Sequence, residues 1–411
     1  MGGQREQRGK SFTNWAFDQH LVLFALTWGA IRYATHVWRM QRLPSVPALR
    51  VAQRCRWRLP YAKKMQHRAK HAANQPEGGE LSLIRYIRSR TAGGAIKSPA
   101  LGIGDDCALI RPRAGQELAV TTDLTVCGRH FRLDWHTPES VGHRALARGL
   151  SDLAAMGARP VAAFLSLGLP REFARPGVGG WASSWVGRFL DGLLALAERH
   201  GTPLAGGDVS ETPVPLADIV LMGSVPQGKA ILRSTARPGD LLYVTGMLGG
   251  GAAALPHFER LSRGGINGLN AARISQRLAP LLVRHLYPEP RIAQGLVLRS
   301  KRLASAAMDM SDGLSSDLAH ICEESGVAAE VEAALLPVHP GASVEYALHG
   351  GDDYELLFTA RPGVRMPKAI GGVALTRIGR IVAKGRGRAA ISVITERGTE
   401  PLLAEGWEHF A

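Results

Sequence analysis

The chain is 411 residues long, 45% apolar and holds 48 glycines, which is enough for two hydrophobic cores linked by many tight turns. Its four cysteines, Cys55, Cys107, Cys127 and Cys322, are scattered with no CxxC pair, which argues against a disulfide framework or structural zinc module and for a reducing cytoplasm. The net charge of +15 is local: residues 1–78 hold 14 Lys/Arg against 3 Asp/Glu, a net of +11, leaving +4 for the other 333 residues, so no nucleic-acid or membrane partner is expected for the body.

Residues 1–79 read as an extension that is basic and holds four of the eight tryptophans. The apolar run from Leu21 to Ile31 is too short to span a bilayer. Arg5, Arg8 and Lys10 precede it, but no small-residue cleavage site follows. The stretch from Arg50 to Lys70, with Trp57 and Tyr61 among its charges, has the composition of a nucleic-acid or anionic-membrane arm. It keeps no helical or strand period, so a poorly ordered tail is expected.

From Glu80 the pattern changes. Leu81, Leu83, Ile84 and Ile87 at helical spacing predict a helix over 81–90. Leu118 to Thr122 reads as a buried strand ending at Asp123. Leu146, Leu150 and Leu153 lie on one face of a helix over 138–156, followed by a strand over 160–169, a helix over 181–200 and a strand over 218–225. The turn Arg237-Pro238-Gly239-Asp240 opens a strand over 241–244, and the domain boundary is expected near residue 230. The second half runs from the glycine-rich stretch 246–251 through a helical region to about residue 300. A strand over 307–310, a helix over 311–325 and strands over 328–336, 354–359 and 390–394 follow. Helices and strands alternate in both halves, which argues for α/β or α+β layers.

No GxxxxGK[ST] loop, kinase HRD–DFG set, GxSxG elbow or HExxH motif occurs, so phosphate chemistry here needs another solution. Aspartates supply it. Asp105 and Asp106 sit side by side after the glycines of Gly102-Ile103-Gly104, and Asp123, Asp152, Asp208, Asp309 and Asp312 recur beside Gly, Ser or Thr or at element ends. Any one of them fits a cap or a turn. As a set of hard oxygen ligands without His/Cys pairing they select magnesium or manganese, and several carboxylates around a triphosphate imply more than one ion. Thr121 and Thr122 add further oxygens. Asp152 is the most telling: it lies inside a leucine-striped helix, where Asp is unfavourable, with Ala154, Ala155 and Gly157 leaving room for a ligand. Gly206-Gly207-Asp208 suits backbone contact with phosphate or an ordinary turn. The acidic loop Gly350-Gly351-Asp352-Asp353-Tyr354-Glu355 suits a cationic substrate or a solvated turn.

In order along the chain, GIGDDCA, TTD, SDLAAMGA, GGD, DMSDGL and GGDDYEL resemble the thiamine-monophosphate kinase family, one branch of a group that includes aminoimidazole ribotide synthetase, selenophosphate synthetase and the hydrogenase maturation dehydratase. The resemblance runs from about Leu81 to Phe410. It implies a two-domain aminoimidazole ribotide synthetase-like fold: an ATP- and magnesium-binding N-terminal domain over 80–230 that pairs its sheet with a second subunit in a homodimer, and a layered C-terminal domain over 231–411. It implies the reaction of ATP with thiamine monophosphate to give ADP and thiamine diphosphate. Carried over by motif, Asp106, Thr121, Thr122, Asp123, Asp152, Asp208 and Asp309 resemble magnesium ligands, with Asp312 holding another ion. Gly207, Asp208, Arg233 and Ser311 resemble ATP contacts, and His130, Asp352 and Trp407 thiamine-phosphate contacts.

Three positions depart from the family pattern. Val209-Ser210 stands where Thr-Thr is usual, Asp352 where Glu is usual, and Arg148-Gly149 where an Asn commonly precedes Leu-Ser-Asp. The implied acceptor, a phosphate monoester with a second pKa of about 6, is largely dianionic at pH 7 and needs no general base. It needs neutralisation and in-line positioning, with Trp407 stacking on a ring and Asp352 offsetting its cation. The competing readings are a related synthetase, or an RNA- or membrane-binding protein led by the basic arm. Selenophosphate synthesis wants a reactive Cys in a mobile N-terminal segment, whereas Cys107 sits in the aspartate loop. Aminoimidazole ribotide synthetase lacks the GGDDYEL run in this form. Binding through the arm predicts a steep salt dependence lost with residues 1–79.

Overall fold

The computed structural model describes residues 79–91, 102–103, 106–263, 278–385 and 390–407. Asp105 and the extension ahead of Gly79 lie outside the described residues. The elements below belong to the unit that runs from Gln75 to Ala411.

The first layer holds α1 (Glu80–Thr91), β1 (Gln116–Val126), α2 (Pro138–Ala155), β2 (Arg159–Leu169), α3 (Trp185–Arg199), β3 (Leu204–Glu211) and β4 (Leu216–Pro226). Its sheet has the order β1-β4-β2-β3, antiparallel except for the parallel β2–β3 edge. Pro138 starts α2 at a position where its missing N–H costs nothing, and the Thr137 hydroxyl accepts the Ser140 N–H at 3.3 Å. Leu146, Leu150 and Leu153 of α2 pack with Leu190 and Leu193 of α3 and Ile219 and Leu221 of β4, so the two helices cover one face of the sheet.

Three expectations change here. β1 continues to Val126 because its pairing with β4 does, which puts Asp123 in mid-strand. The predicted helix over 181–200 splits into a 3-10 turn at Trp181–Ser183 and α3, because the Ser184 hydroxyl caps a new start by accepting the Gly187 N–H at 3.0 Å. Gly206-Gly207-Asp208 is not a turn but lies within β3. There Gly207 has φ +147, and a Cβ on it would overlap the Leu165 carbonyl oxygen of the neighbouring strand.

The second layer holds β5 (Leu241–Thr245), α4 (Gly250–Ala253), α5 (Leu255–Arg263), α6 (Ala279–Leu286), α7 (Ile292–Ser300), β6 (Ala306–Asp309), α8 (Leu314–Ser325), β7 (Val327–Glu332), α9 (Val344–His349), β8 (Leu356–Ala360), β9 (Ala369–Ile370), β10 (Val373–Ala383), β11 (Ile391–Thr395) and β12 (Gly398–Pro401). The sheet order is β12-β11-β7-β10-β5-β8-β6, with β9 paired to β10. The helix expected from Ser311 starts at Leu314, since Gly313 at φ +115 cannot be helical. The strand expected to reach Leu336 stops at Glu332 and turns into a 3-10 segment, Ala333–Leu335. β10 escapes the sequence reading because its register slips between Arg377 and Gly379, breaking the alternation.

Helix α2 joins the layers. A Cβ on Gly142 would overlap the Phe189 carbonyl oxygen of α3, one on Gly149 would press on Leu221 of β4, and one on Gly295 of α7 would overlap the Ala154 carbonyl oxygen. Glycine at each contact lets α2 approach α3, the first sheet and the second layer at once. Among the described residues no helix is long and apolar enough to cross a membrane.

Candidate functional site

One face of α2 carries Arg144, Arg148 and Asp152 at i, i+4 and i+8; the last two reach β1 and the first reaches the acidic loop at 350–355. The Thr121 hydroxyl of β1 donates to Asp152 Oδ2 at 2.6 Å. Arg148 forks onto Asp123 of β1, its Nε 2.9 Å from both carboxylate oxygens and its Nη2 2.7 Å from Oδ1. Arg144, only 2% exposed, donates from Nη2 to Asp352 Oδ1 at 3.0 Å and from Nη1 to the His285 carbonyl.

Asp309, at the end of β6, is 4% exposed and close enough to Asp152 for the two charges to interact. Burial, then repulsion from Asp152, pushes its carboxyl up to about 7. Asp152 is raised as well, by burial and by the charge of Asp123, against the Thr121 hydrogen bond that favours its carboxylate. Arg233, exposed on a 3-10 turn, acts favourably on both Asp152 and Asp309. Ser151 also favours the Asp309 carboxylate, although its buried hydroxyl forms no hydrogen bond of normal geometry among the described residues.

The loop after β6 is stitched to two others by backbone. The Ser311 carbonyl accepts the Asp352 N–H at 2.8 Å, the Met310 carbonyl accepts the Tyr354 N–H at 2.8 Å, and the Asp312 carbonyl accepts the Trp407 N–H at 3.0 Å. These bonds bring Ser311, Asp312, Asp352 and Trp407 together, with Trp407 54% exposed at the rim. Asp352 and Tyr354 both sit in the left-handed region, at φ +66 and +51. Non-glycine residues pay of order 1 kcal/mol or more to hold that conformation, so the surrounding contacts must enforce it. Burial acts to raise the Asp352 carboxyl, but Arg144, His285, Arg148 and the Tyr354 hydroxyl at 2.9 Å hold it below the ordinary range.

The rest of the acidic loop is neither solvated nor open to a ligand. Asp353 accepts the N–H groups of Gly249 at 2.5 Å and Gly251 at 3.2 Å, and burial lifts it to about 7. Glu355 is fully buried between Arg291, at 2.5 and 2.6 Å, and Arg284. Only Asp352 of this run turns toward the site. Asp317, in the first turn of α8, accepts the N–H groups of Asp312 at 3.2 Å and Gly313 at 3.1 Å through Oδ2. Its buried Oδ1 finds no hydrogen-bond partner among the described residues. Burial, then the charges of Asp309 and Asp312, raises its carboxyl well above the usual range.

The predicted residues fall into a gathered group and an outlying one. Thr121, Asp123, Asp152 and Asp309 meet between the layers, with Arg233 acting on two of them and Ser311, Asp312, Asp352 and Trp407 alongside. Register puts Asp208 beside Ser166, Asp218 and Leu124 on the face of the sheet turned away from α2, with Thr122 next to them. Asp208 and Thr122 are exposed there, while Gly207 shares the row of Asp123. Asp106 is exposed on the loop before β1, and His130 Nδ1 accepts the Val126 N–H at 3.1 Å in the turn after it. Among the described residues no three His, Cys, Asp or Glu side chains converge as a ready metal centre. The donor chemistry nonetheless fits magnesium: all the ligating atoms are hard oxygens, and Asp152 and Asp309 repel each other in a buried place that a cation would relieve.

The sequence reading missed the groups that hold the site. Arg144, Asp317 and Tyr354 are all buried, and Arg148, seen only as a departure from a pattern, pairs with Asp123. The i, i+4, i+8 spacing of Arg144, Arg148 and Asp152 was the available signal.

Comparison with known proteins fits this geometry. A family model described as AIR synthase related protein, N-terminal domain, matches residues 104–225, and the corresponding C-terminal domain matches 237–392. The chain is 39% identical over 347 residues to thiamine-monophosphate kinase of Escherichia coli K12, covering 81% of this chain and 98% of the relative. A crystal structure of thiamine-monophosphate kinase from Stenotrophomonas maltophilia K279a superposes with a TM-score of 0.63 at 39% identity, over 77% of this chain and 96% of the other. AaThiL complexed with AMPPCP and TMP superposes with a TM-score of 0.60 at 30% identity, over 81% and 97%.

Proposed function

The chain belongs to the thiamine-monophosphate kinase family and is a kinase, and we propose on that premise that it moves the γ-phosphoryl group of ATP onto thiamine monophosphate. An oxygen of the acceptor phosphate attacks the γ-phosphorus in line, the bond to the β–γ bridging oxygen breaks, and thiamine diphosphate and ADP leave. The observation that carries this reading is the meeting of Thr121, Asp152 and Asp309, one each from β1, α2 and β6, between the two layers. The acceptor is already a dianion at neutral pH, so the site must offset charge rather than remove a proton.

We assign several magnesium ions to Asp152, Asp309 and Thr121, with Asp106 and Asp312 as further oxygen donors; Thr122 and Asp208, expected among them, lie on the opposite face of the first sheet and would need a separate ion. Asp123 is set apart from them by its ion pair with Arg148. Bound magnesium supplies the positive charge that lets two phosphate groups approach. Gly207, Arg233 and Ser311 contact ATP in this reading, and His130, Asp352 and Trp407 contact thiamine phosphate. Trp407 offers a ring face at the rim, and Asp352 presents a fixed carboxylate. We place the domain boundary near residue 230 and the protein in the cytoplasm as a homodimer formed through the first sheet. The outer face of that sheet exposes Leu118, Val120 and Leu124 of β1, an apolar strip a second copy would cover.

The test is a substrate screen with the full chain, ATP and magnesium, offering thiamine monophosphate, aminoimidazole precursors or selenide. Thiamine diphosphate and ADP are expected in equal amounts from the first alone. Phosphate transfer only with another acceptor overturns the assignment.

A further inference from the structure

The fork between Arg148 and Asp123 is a feature of this chain that metal-assisted transfer does not call for. Arg148 lies one turn before Asp152, beside Gly149 where the family resemblance leads one to expect Asn, and it engages both oxygens of a carboxylate otherwise suited to magnesium. The two side chains are 16% and 18% exposed, so the pair is shielded from water and stronger than a surface bridge. The neighbours reinforce it: Asp152, Asp352 and the Tyr354 hydroxyl all act on the guanidinium or its surroundings. Gly149 next to Arg148 explains the reach. A side chain there would press on Leu221 Cδ1, 2.6 Å from its Cβ, so glycine lets α2 settle close enough to the sheet for Arg148 to close on Asp123.

A bidentate guanidinium leaves Asp123 little to offer a metal ion. Its fixed positive charge does at that point part of what a divalent ion does, with no dependence on metal concentration. We propose that Arg148 is a built-in cation of the site, occupying at Asp123 the place of one divalent ion, so that this protein assembles its nucleotide complex with one metal fewer than the same chain without a charge at 148. The inference rests on the metal-assisted kinase reading and specifies its charge balance.

Binding, not turnover, tests it. Mn2+ bound per chain is counted by electron paramagnetic resonance, with a non-hydrolysable ATP analogue present and an analogue-only blank subtracted. The parent, Arg148→Met, Asp123→Asn and the double variant are compared, each checked for fold by circular dichroism. The parent and Asp123→Asn should bind the same number of ions, Arg148→Met one more, and the double variant the parental number. A folded Arg148→Met with the parental count overturns the inference, as does a parent that loses an ion on Asp123→Asn. If Arg148→Met does not fold, the Asp123→Asn comparison decides alone. Failure of the parent to bind either Mn2+ or the analogue removes the kinase reading itself, an outcome distinct from equal counts.

Discussion

Asp152 is a carboxyl in mid-helix where burial and the charge of Asp123 both act against its ionised form, a placement typical of functional carboxylates. Asp152→Asn keeps the size and the Thr121 contact but removes the charge. The rate of thiamine diphosphate formation should fall by a factor on the order of 100 or more, with the far-ultraviolet spectrum unchanged. A variant working at the parental rate would show that the carboxylate is not needed. His143 offers a test of stability against pH. It is buried with Nε2 2.8 Å from the Pro288 carbonyl, and burial lowers it to about 4 from the ordinary 6.5. A base whose folded pKa is depressed resists protonation in the folded state, so its contribution is present above pH 6.5 and is lost as pH falls toward 4. The advantage of the parent over His143→Gln in urea titrations should therefore shrink by on the order of 3 kcal/mol between pH 7 and pH 4. A constant difference across that range would remove the assignment.

At the scale of the element, α2 decides where the site forms. Its leucine stripe was visible in the sequence, and the helix lies where that stripe puts it. What periodicity does not reveal is how close the helix comes to its neighbours, which depends on glycines placed against backbone rather than side chains. Gly142→Ala would drive a methyl group into the Phe189 carbonyl and push α2 from α3, at a cost of about 1–3 kcal/mol in chemical denaturation. Activity should fall with it, because Asp152 rides on the same helix. The same variant with parental stability would mean that the helices are not held at this contact. The Gly-Gly-Asp run shows the opposite limit: glycines that suited either a phosphate contact or a turn lie in a strand, kept there because β2 runs too close for a side chain at Gly207.

At the scale of the whole molecule, the first sheet is covered by helices on one side and presents β1 leucine and valine side chains on the other. If a second copy covers this strip, as proposed above, Val120→Lys should turn a dimer into a monomer in sedimentation velocity; a parent that sediments as a monomer, or a variant that stays dimeric, overturns that interface. Local pattern was enough for the alternation of helices and strands, for the start of α2 at Pro138 and for the identity of the acidic residues, because each is set by spacing and residue chemistry along a short stretch. The ordered motifs were enough for the family. Tertiary structure alone decided that Arg144 and Arg148 reach Asp352 and Asp123, that Asp353 and Glu355 are buried, and that Asp208 lies on the far face from Asp152. Those facts join residues tens to hundreds of positions apart, and only packing and strand register bring such partners within reach.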